Sequence, residues 1–221
     1  MTDLRHLFGA ARDQGPRPTC LAFAMSDAHG AALGQTGPLA ADYAHYHAAR
    51  RQQVTMNQAV STISMRQAVD HDGQPTEVAC PYTAPRADSW SPPLGIQPLW
   101  RRGSVLAAGV PSAALTAALA AGMPSVLTLR INESFYLHDA VAFEVADDLA
   151  KEVGAHAIVV VAARTAAAGR SHVLARKVGA VAGAWKVTRG CRTCTSMREP
   201  LTSFSFENPE VTDGANIRQN A

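Results

Sequence analysis

Charge is scarce in this sequence. Only 17% of its 221 residues are Asp, Glu, Lys or Arg, and the formal net charge is +2. A chain so near neutrality has no field strong enough to gather nucleic acid or an acidic membrane surface. Aromatic residues are few, at 6%, so a core has to be built from small side chains. No apolar run is long enough to span a bilayer. Met1 to Phe8 mixes charged and apolar residues and lacks the apolar stretch of a secretion signal. The chain as given is therefore expected in the cytoplasm, or it lacks whatever once preceded it. Cysteine is also sparse: Cys20, Cys80, Cys191 and Cys194. Without a secretion signal these are expected as free thiols.

What is present is 47% hydrophobic and rich in alanine. That composition is globular and favours helix. The length suits one domain or two closely packed lobes. There is no internal repeat, and no low-complexity segment beyond the alanine bias.

Asp13-Gln14-Gly15-Pro16-Arg17-Pro18 is a loop, because two prolines and a glycine break any regular element. Thr19 stands where a helix N-cap belongs, and Cys20–Leu33 reads as a helix closed by Gly34. Cys20 then lies in a first helical turn, where free N–H groups and the helix dipole are expected to lower a thiol's pKa. Leu39–Arg51 and Ser64–His71 are further helical segments, the latter stopped by Asp72-Gly73. Residues 73–98 read as a long surface loop, and Pro111–Ala121 as a short helix ended by Gly122. After Gly122 the pattern turns to strands: Val126–Ile131, a weak alternation over Val141–Val145, and the valine-rich run His156–Ala163. Helices first and strands afterwards imply an α+β protein with a helical lobe and a sheet lobe.

Cysteine nucleophiles need a thiolate, an imidazole to exchange its proton, and donors for an oxyanion. Cys20 opens a helix after a Gly/Pro loop. His156 opens a strand between small neighbours, Gly154, Ala155 and Ala157. Their separation falls within the roughly 130–150 residues typical of one class of cysteine peptidases. Gln14 lies six positions before Cys20, so its amide and the Cys20 N–H can converge on one oxygen. Blander readings stay open: Cys20 as a buried structural thiol, His156 as a strand-end histidine, Gln14 as an ordinary loop amide.

Asp13-Gln14-Gly15-Pro16-Arg17-Pro18-Thr19-Cys20-Leu21-Ala22-Phe23-Ala24 resembles the D-Q-G-x-x-G-S-C-W-A-F-A segment of papain-like cysteine peptidases, the C1 family. Gly154–Val161 resembles that family's histidine strand. Leu39–Tyr43, Gly73 through Cys80-Pro81-Tyr82, and Ala121–Val126 resemble its intervening landmarks in the same order. The resemblance covers residues 3 to 176. It implies a papain-like two-lobe α+β fold, with a helical lobe over about 10–105 and an antiparallel sheet lobe over about 106–176. It implies peptide-bond hydrolysis by Cys20, His156 and Gln14 without a cofactor or metal, on a peptide or protein substrate. Pro18 replaces the family's glycine and Leu21 its tryptophan; both bear on the rim and floor of a cleft rather than on reacting atoms. The absence of the disulfides common in secreted members suits an intracellular, bacterial-type one.

The largest departure lies downstream of the histidine. The family places an asparagine there, within N-S-W-G, to orient the imidazole, the role of a triad's third member. Here Arg176-Lys177-Val178-Gly179-Ala180 stands in place of R-N-S-W-G. Written as codons, CGC AAC AGU UGG GGC loses one base to become CGC AAA GUU GGG GC, which reads Arg-Lys-Val-Gly-Ala. Continued through Arg189, the lost frame can spell W-G-x-x-W-G-x-E-G-Y-A-W. The tail 177–221 is therefore read as frameshifted. Its polar residues 186–221 are expected to pack poorly or stay disordered, with the final strands missing or replaced and activity impaired. Neither His172 nor Lys177 is assigned the missing role. A non-catalytic papain-like binding module or pseudoenzyme is the alternative function, and another Cys–His acyl transferase fold a second.

The remaining candidates are weak. His45 and His47 are two apart on one helix and face different sides, so they read as surface histidines rather than joint metal ligands. Cys191 and Cys194 form a lone C-x-x-C with no further ligands evident. Asp147-Asp148 reads as a solvated turn, and Cys80 as a packed loop residue.

Overall fold

The computed structural model describes residues 3–35, 37–108, 112–132, 142–144, 152–165, 171–176, 185–189 and 202–206. Asp147, Asp148, Lys177, Cys191 and Cys194 lie outside these residues.

The helical part is organised around α1 (Cys20–Ala32). Leu21, Ala22, Phe23, Ala24 and Met25 are all buried. A helix apolar on every side belongs in the middle of a fold. Around it pack α2 (Ala41–Gln52) and α3 (Thr62–Gln67). Ser61 caps α3 through its hydroxyl, which accepts from the Ser64 N–H at 3.2 Å. A π turn, Ala68–Asp72, follows and ends at Gly73, whose φ is +75°. Gly34 and Gly122 also have positive φ, at +64° and +75°. All three stand where the sequence predicts a helix to stop. Gln74 then pairs with Trp100 through N–H to O bonds of 2.8 and 3.0 Å, closing the long loop.

The sheet part begins with β1 (Ser104–Ala108) and α4 (Ser112–Ala120). It continues with β2 (Ser125–Asn132), β3 (Ala142–Glu144), β4 (Glu152–Thr165), β5 (Ser171–Arg176), β6 (Trp185–Arg189) and β7 (Thr202–Phe206). The strand order is β1-β7-β2-β4-β5-β6-β3. Every pairing is antiparallel except β3 with β6. β4 is the middle strand, and α1 packs against it. Residues 157–162 of β4 are buried whichever face they take, as a strand covered on both sides should be. The N-terminal segment joins the same strand: the Leu4 N–H donates to the Val161 carbonyl at 2.8 Å.

Within the tail read as frameshifted, residues 185–189 and 202–206 form strands: β6 pairs with β5, and β7 lies between β1 and β2. The rest of 177–221 lies outside the described residues. One sequence expectation is corrected here, that of His45 at the surface. It is fully buried, with Nε2 3.1 Å from the Met56 carbonyl. Its neighbour His47 is half-buried with Nδ1 3.3 Å from Asp72. Cys80 is buried beside Ala40 and Tyr43, as a packed loop residue should be.

Candidate active site

The loop before α1 is held by its own backbone and side chains. The Asp13 carboxylate accepts from the Gly15 N–H at 2.8 Å, and Gly15 takes a φ of +58° that suits glycine. The Arg17 carbonyl accepts twice, from the Thr19 N–H at 2.8 Å and from Gln14 Nε2 at 3.0 Å. A carbonyl cannot donate, so this contact fixes which end of the Gln14 amide carries nitrogen. One Gln14 N–H is thereby taken. Thr19 occupies the N-cap position but makes no side-chain cap bond. Its hydroxyl turns to the Tyr82 hydroxyl instead, at 3.0 Å.

Cys20 is half-buried at the start of α1 and free of any disulfide. The backbone N–H of Ala157, the residue after His156 on β4, favours the anion of the Cys20 thiol. The N–H groups of Leu21 and of Cys20 itself act in the same direction. These donors favour a thiolate, yet burial pushes the Cys20 thiol above its ordinary value of 9.0. This corrects the expectation of a lowered thiol. Desolvation acts on the whole charge, and three peptide dipoles offset it only in part.

His156 is 8% exposed and stands opposite Leu129 of β2 in the sheet register. α1 thus brings Cys20 to the segment of β4 that carries His156, across the whole length of chain between them. Gln14 is placed beside the same helix end by the 13–19 loop. Of the two departures beside Cys20, Leu21 is buried and Pro18 exposed. His172 stands on β5 opposite Arg164 of β4 and Arg189 of β6.

Sequence reasoning passed over the groups that brace this loop. Arg17 is 4% exposed, and its guanidinium donates to Asp42 at 2.6 Å, to the Thr83 carbonyl at 2.8 Å and to the Met56 carbonyl at 2.9 Å. Arg86 meets the other Asp42 oxygen at 2.5 and 2.9 Å. A proline-flanked arginine in a loop was a visible signal, since so polar a residue is rarely placed there without a partner. A cavity of about 230 Å³ lies elsewhere, behind α1 between Phe8, Arg12, Ser26, Asp27 and Gly30. It does not reach Cys20. Among the described residues no cluster of His, Cys, Asp and Glu fits a metal ion.

No family model matches the sequence, and no curated protein matches it. Solved structures do match. Xylellain, a cysteine protease from Xylella fastidiosa, aligns at TM-score 0.72 and 16% identity over 95% of this chain and 86% of that one. The bromelain protease from Ananas comosus, in complex with the E64 inhibitor, aligns at 0.68 and 12% over 92% and 96%. The ragweed pollen allergen Amb a 11, a cysteine protease in its proform, aligns at 0.72 and 15% over 94% and 65%. At such identities the likeness is one of fold: the chain has the papain-like α+β fold.

Proposed function

We propose that this chain is a papain-like cysteine peptidase that hydrolyses peptide bonds through an acyl-enzyme on Cys20. The observation that carries the proposal is the packing of α1, which begins at Cys20, against β4, which contains His156. A fold shared with cysteine proteases supports it.

In this reading the buried thiol transfers its proton to His156, because burial opposes a lone thiolate and an adjacent imidazolium compensates it. The thiolate attacks the peptide carbonyl. The tetrahedral oxyanion takes hydrogen bonds from the Cys20 N–H and from the second N–H of Gln14. His156 then protonates the leaving amine, and water, deprotonated by His156, releases the acyl group. No cofactor is required. The substrate lies between the helical and sheet parts, each of which contributes one reacting group.

A second reading, a non-catalytic papain-like binding module, is favoured by one observation: Lys177-Val178-Gly179 stands where the family's orienting asparagine belongs. Alkylation by iodoacetamide followed by peptide mapping separates the two. The peptidase reading expects Cys20 to label fastest near neutral pH, His156→Ala to slow that labelling, and Cys20→Ala to abolish hydrolysis of a fluorogenic peptide library. Labelling of Cys20 no faster than that of Cys80, with no peptide cleaved, establishes the binding module instead. Sequencing the gene around codon 177 tests the frame change separately. The absence of any N-S-W-G reading in the adjacent frame ends that idea.

A further inference from the structure

Tyr82 lies in the loop after Cys80, and neither the mechanism above nor the sequence gives it work. Its hydroxyl sits 2.5 Å from the Gln14 backbone carbonyl and 3.0 Å from Thr19 Oγ1. The carbonyl can only accept, so Tyr82 donates to it, and the Thr19 hydroxyl therefore donates to Tyr82. One phenolic oxygen thus ties both ends of the Gln14–Thr19 segment. We propose that Tyr82 is a positioning residue of the oxyanion site: its hydroxyl holds the Gln14 backbone so that the amide side chain faces the carbon under attack.

The phenol is itself held from every side. Its ring meets Phe23 of α1 edge-on at 4.7 Å and 79°, and the Arg17 guanidinium carbon lies 4.9 Å from its centroid. The Tyr82 N–H donates to Glu77 at 2.8 Å. Both neighbours in the chain are tied to Asp42: Thr83 by its own N–H at 3.3 Å, and Pro81 by Arg86, which donates to its carbonyl at 2.6 Å. Fixing a donor this firmly is what preorganised transition-state stabilisation requires of its supporting residues. Burial raises the phenol's pKa, so the hydroxyl remains a donor throughout the neutral range. Tyr82 does not touch the substrate in this account; it acts through Gln14. The proposal rests on the peptidase reading.

Tyr82→Phe removes the oxygen and keeps the ring against Phe23 and Arg17. The expected result is a fall in kcat of about tenfold with KM within about twofold. That is milder than the 10²–10³ lost when an oxyanion donor itself is deleted. Iodoacetamide labelling of Cys20 forms no oxyanion, so its rate and pH profile should not move. Thr19→Val, which cuts one end of the tie, should show a smaller loss in kcat alone, and Thr19→Ser should restore it. If Tyr82→Phe does not fold, this Thr19 pair carries the test. A variant with wild-type kcat overturns the proposal while the peptidase reading stands. So does an equal fall in Cys20 labelling, which would mark a general structural defect. A wild type that cleaves no peptide overturns the peptidase reading and this proposal with it.

Discussion

Asp42 is wholly shielded from solvent, and each of its oxygens meets an arginine. A buried ion pair is weak evidence of net stabilisation, since desolvation opposes the attraction, but breaking one leaves an uncompensated charge. Asp42→Asn would strand Arg17, which has almost no access to water, and should cost about 3–5 kcal/mol. The check is urea unfolding, and a loss below about 1 kcal/mol would show that the network is not balanced as drawn. Cys20 makes the complementary case. Its burial favours the neutral thiol, so the proposed mechanism needs proton transfer to His156 to yield a reactive anion near pH 7. In His156→Ala the labelling of Cys20 should need alkaline solution, with a midpoint above the ordinary 9.0. A midpoint that stays near neutrality in that variant would mean another group supplies the charge. Neither result was legible in the sequence. Cys20, His156 and Gln14 could be singled out as candidates from spacing and loop chemistry, but the sign of a pKa shift depends on how much water the packing removes.

Helix ends are the elements the sequence announced most clearly, because glycine marks a backbone shape rather than a contact. Gly73 is the strictest case. Its φ is +75°, and a Cβ placed there would stand 2.6 Å from the Trp100 carbonyl oxygen and 2.8 Å from Arg101 Cγ. Backbone, unlike a side-chain tip, cannot swing away, and the φ value adds strain of about 1–3 kcal/mol. Gly73→Ala should therefore destabilise by at least about 2 kcal/mol and raise hydrogen exchange at Gln74 and Trp100, whose amides pair with each other's carbonyls. Unchanged exchange there would refute the close approach. β6 and β7 were the elements least legible. Their serines, threonines and basic residues look like a solvated tail, and only the places offered beside β5 and between β1 and β2 make strands of them. The bracing of the 14–19 loop was hidden for a similar reason: Tyr82 reaches Gln14 across 68 positions, a distance that no local pattern records.

At the scale of the molecule, α1, which begins at Cys20, and its neighbour α2 carry a liability toward acid. His29 of α1 and His45 of α2 are fully buried, and burial lowers each to about 4 from an ordinary 6.5. Gln74 spends its nitrogen on Ser26 Oγ at 2.5 Å and on the Ala40 carbonyl at 3.1 Å, so its oxygen accepts from His29 Nδ1 at 2.8 Å. His45 Nε2 likewise donates to the Met56 carbonyl, which Arg17 shares. Both imidazoles are thus held neutral, and His45 has the Arg17 cation nearby to oppose a second charge. Between pH 6.5 and 4 the unfolded chain binds protons at these sites that the folded chain refuses. Unfolding is then favoured as pH falls, and the stability present above 6.5 is lost progressively down to about 4. The linkage amounts to about 2 kcal/mol per histidine at pH 5. The urea midpoint should drop sharply from pH 7.5 to pH 5. His29→Asn and His45→Gln, which keep the donating nitrogens in place but cannot take up a proton, should flatten the dependence. A midpoint unmoved in the wild type would show that both rings accept protons without unfolding. The same burial bears on the proposed peptidase activity: the Gln14–Cys20 loop leans on Arg17, and Arg17 shares its Met56 carbonyl with His45, so the proposed cleavage should be sought near neutral pH and should fade in acid together with the fold.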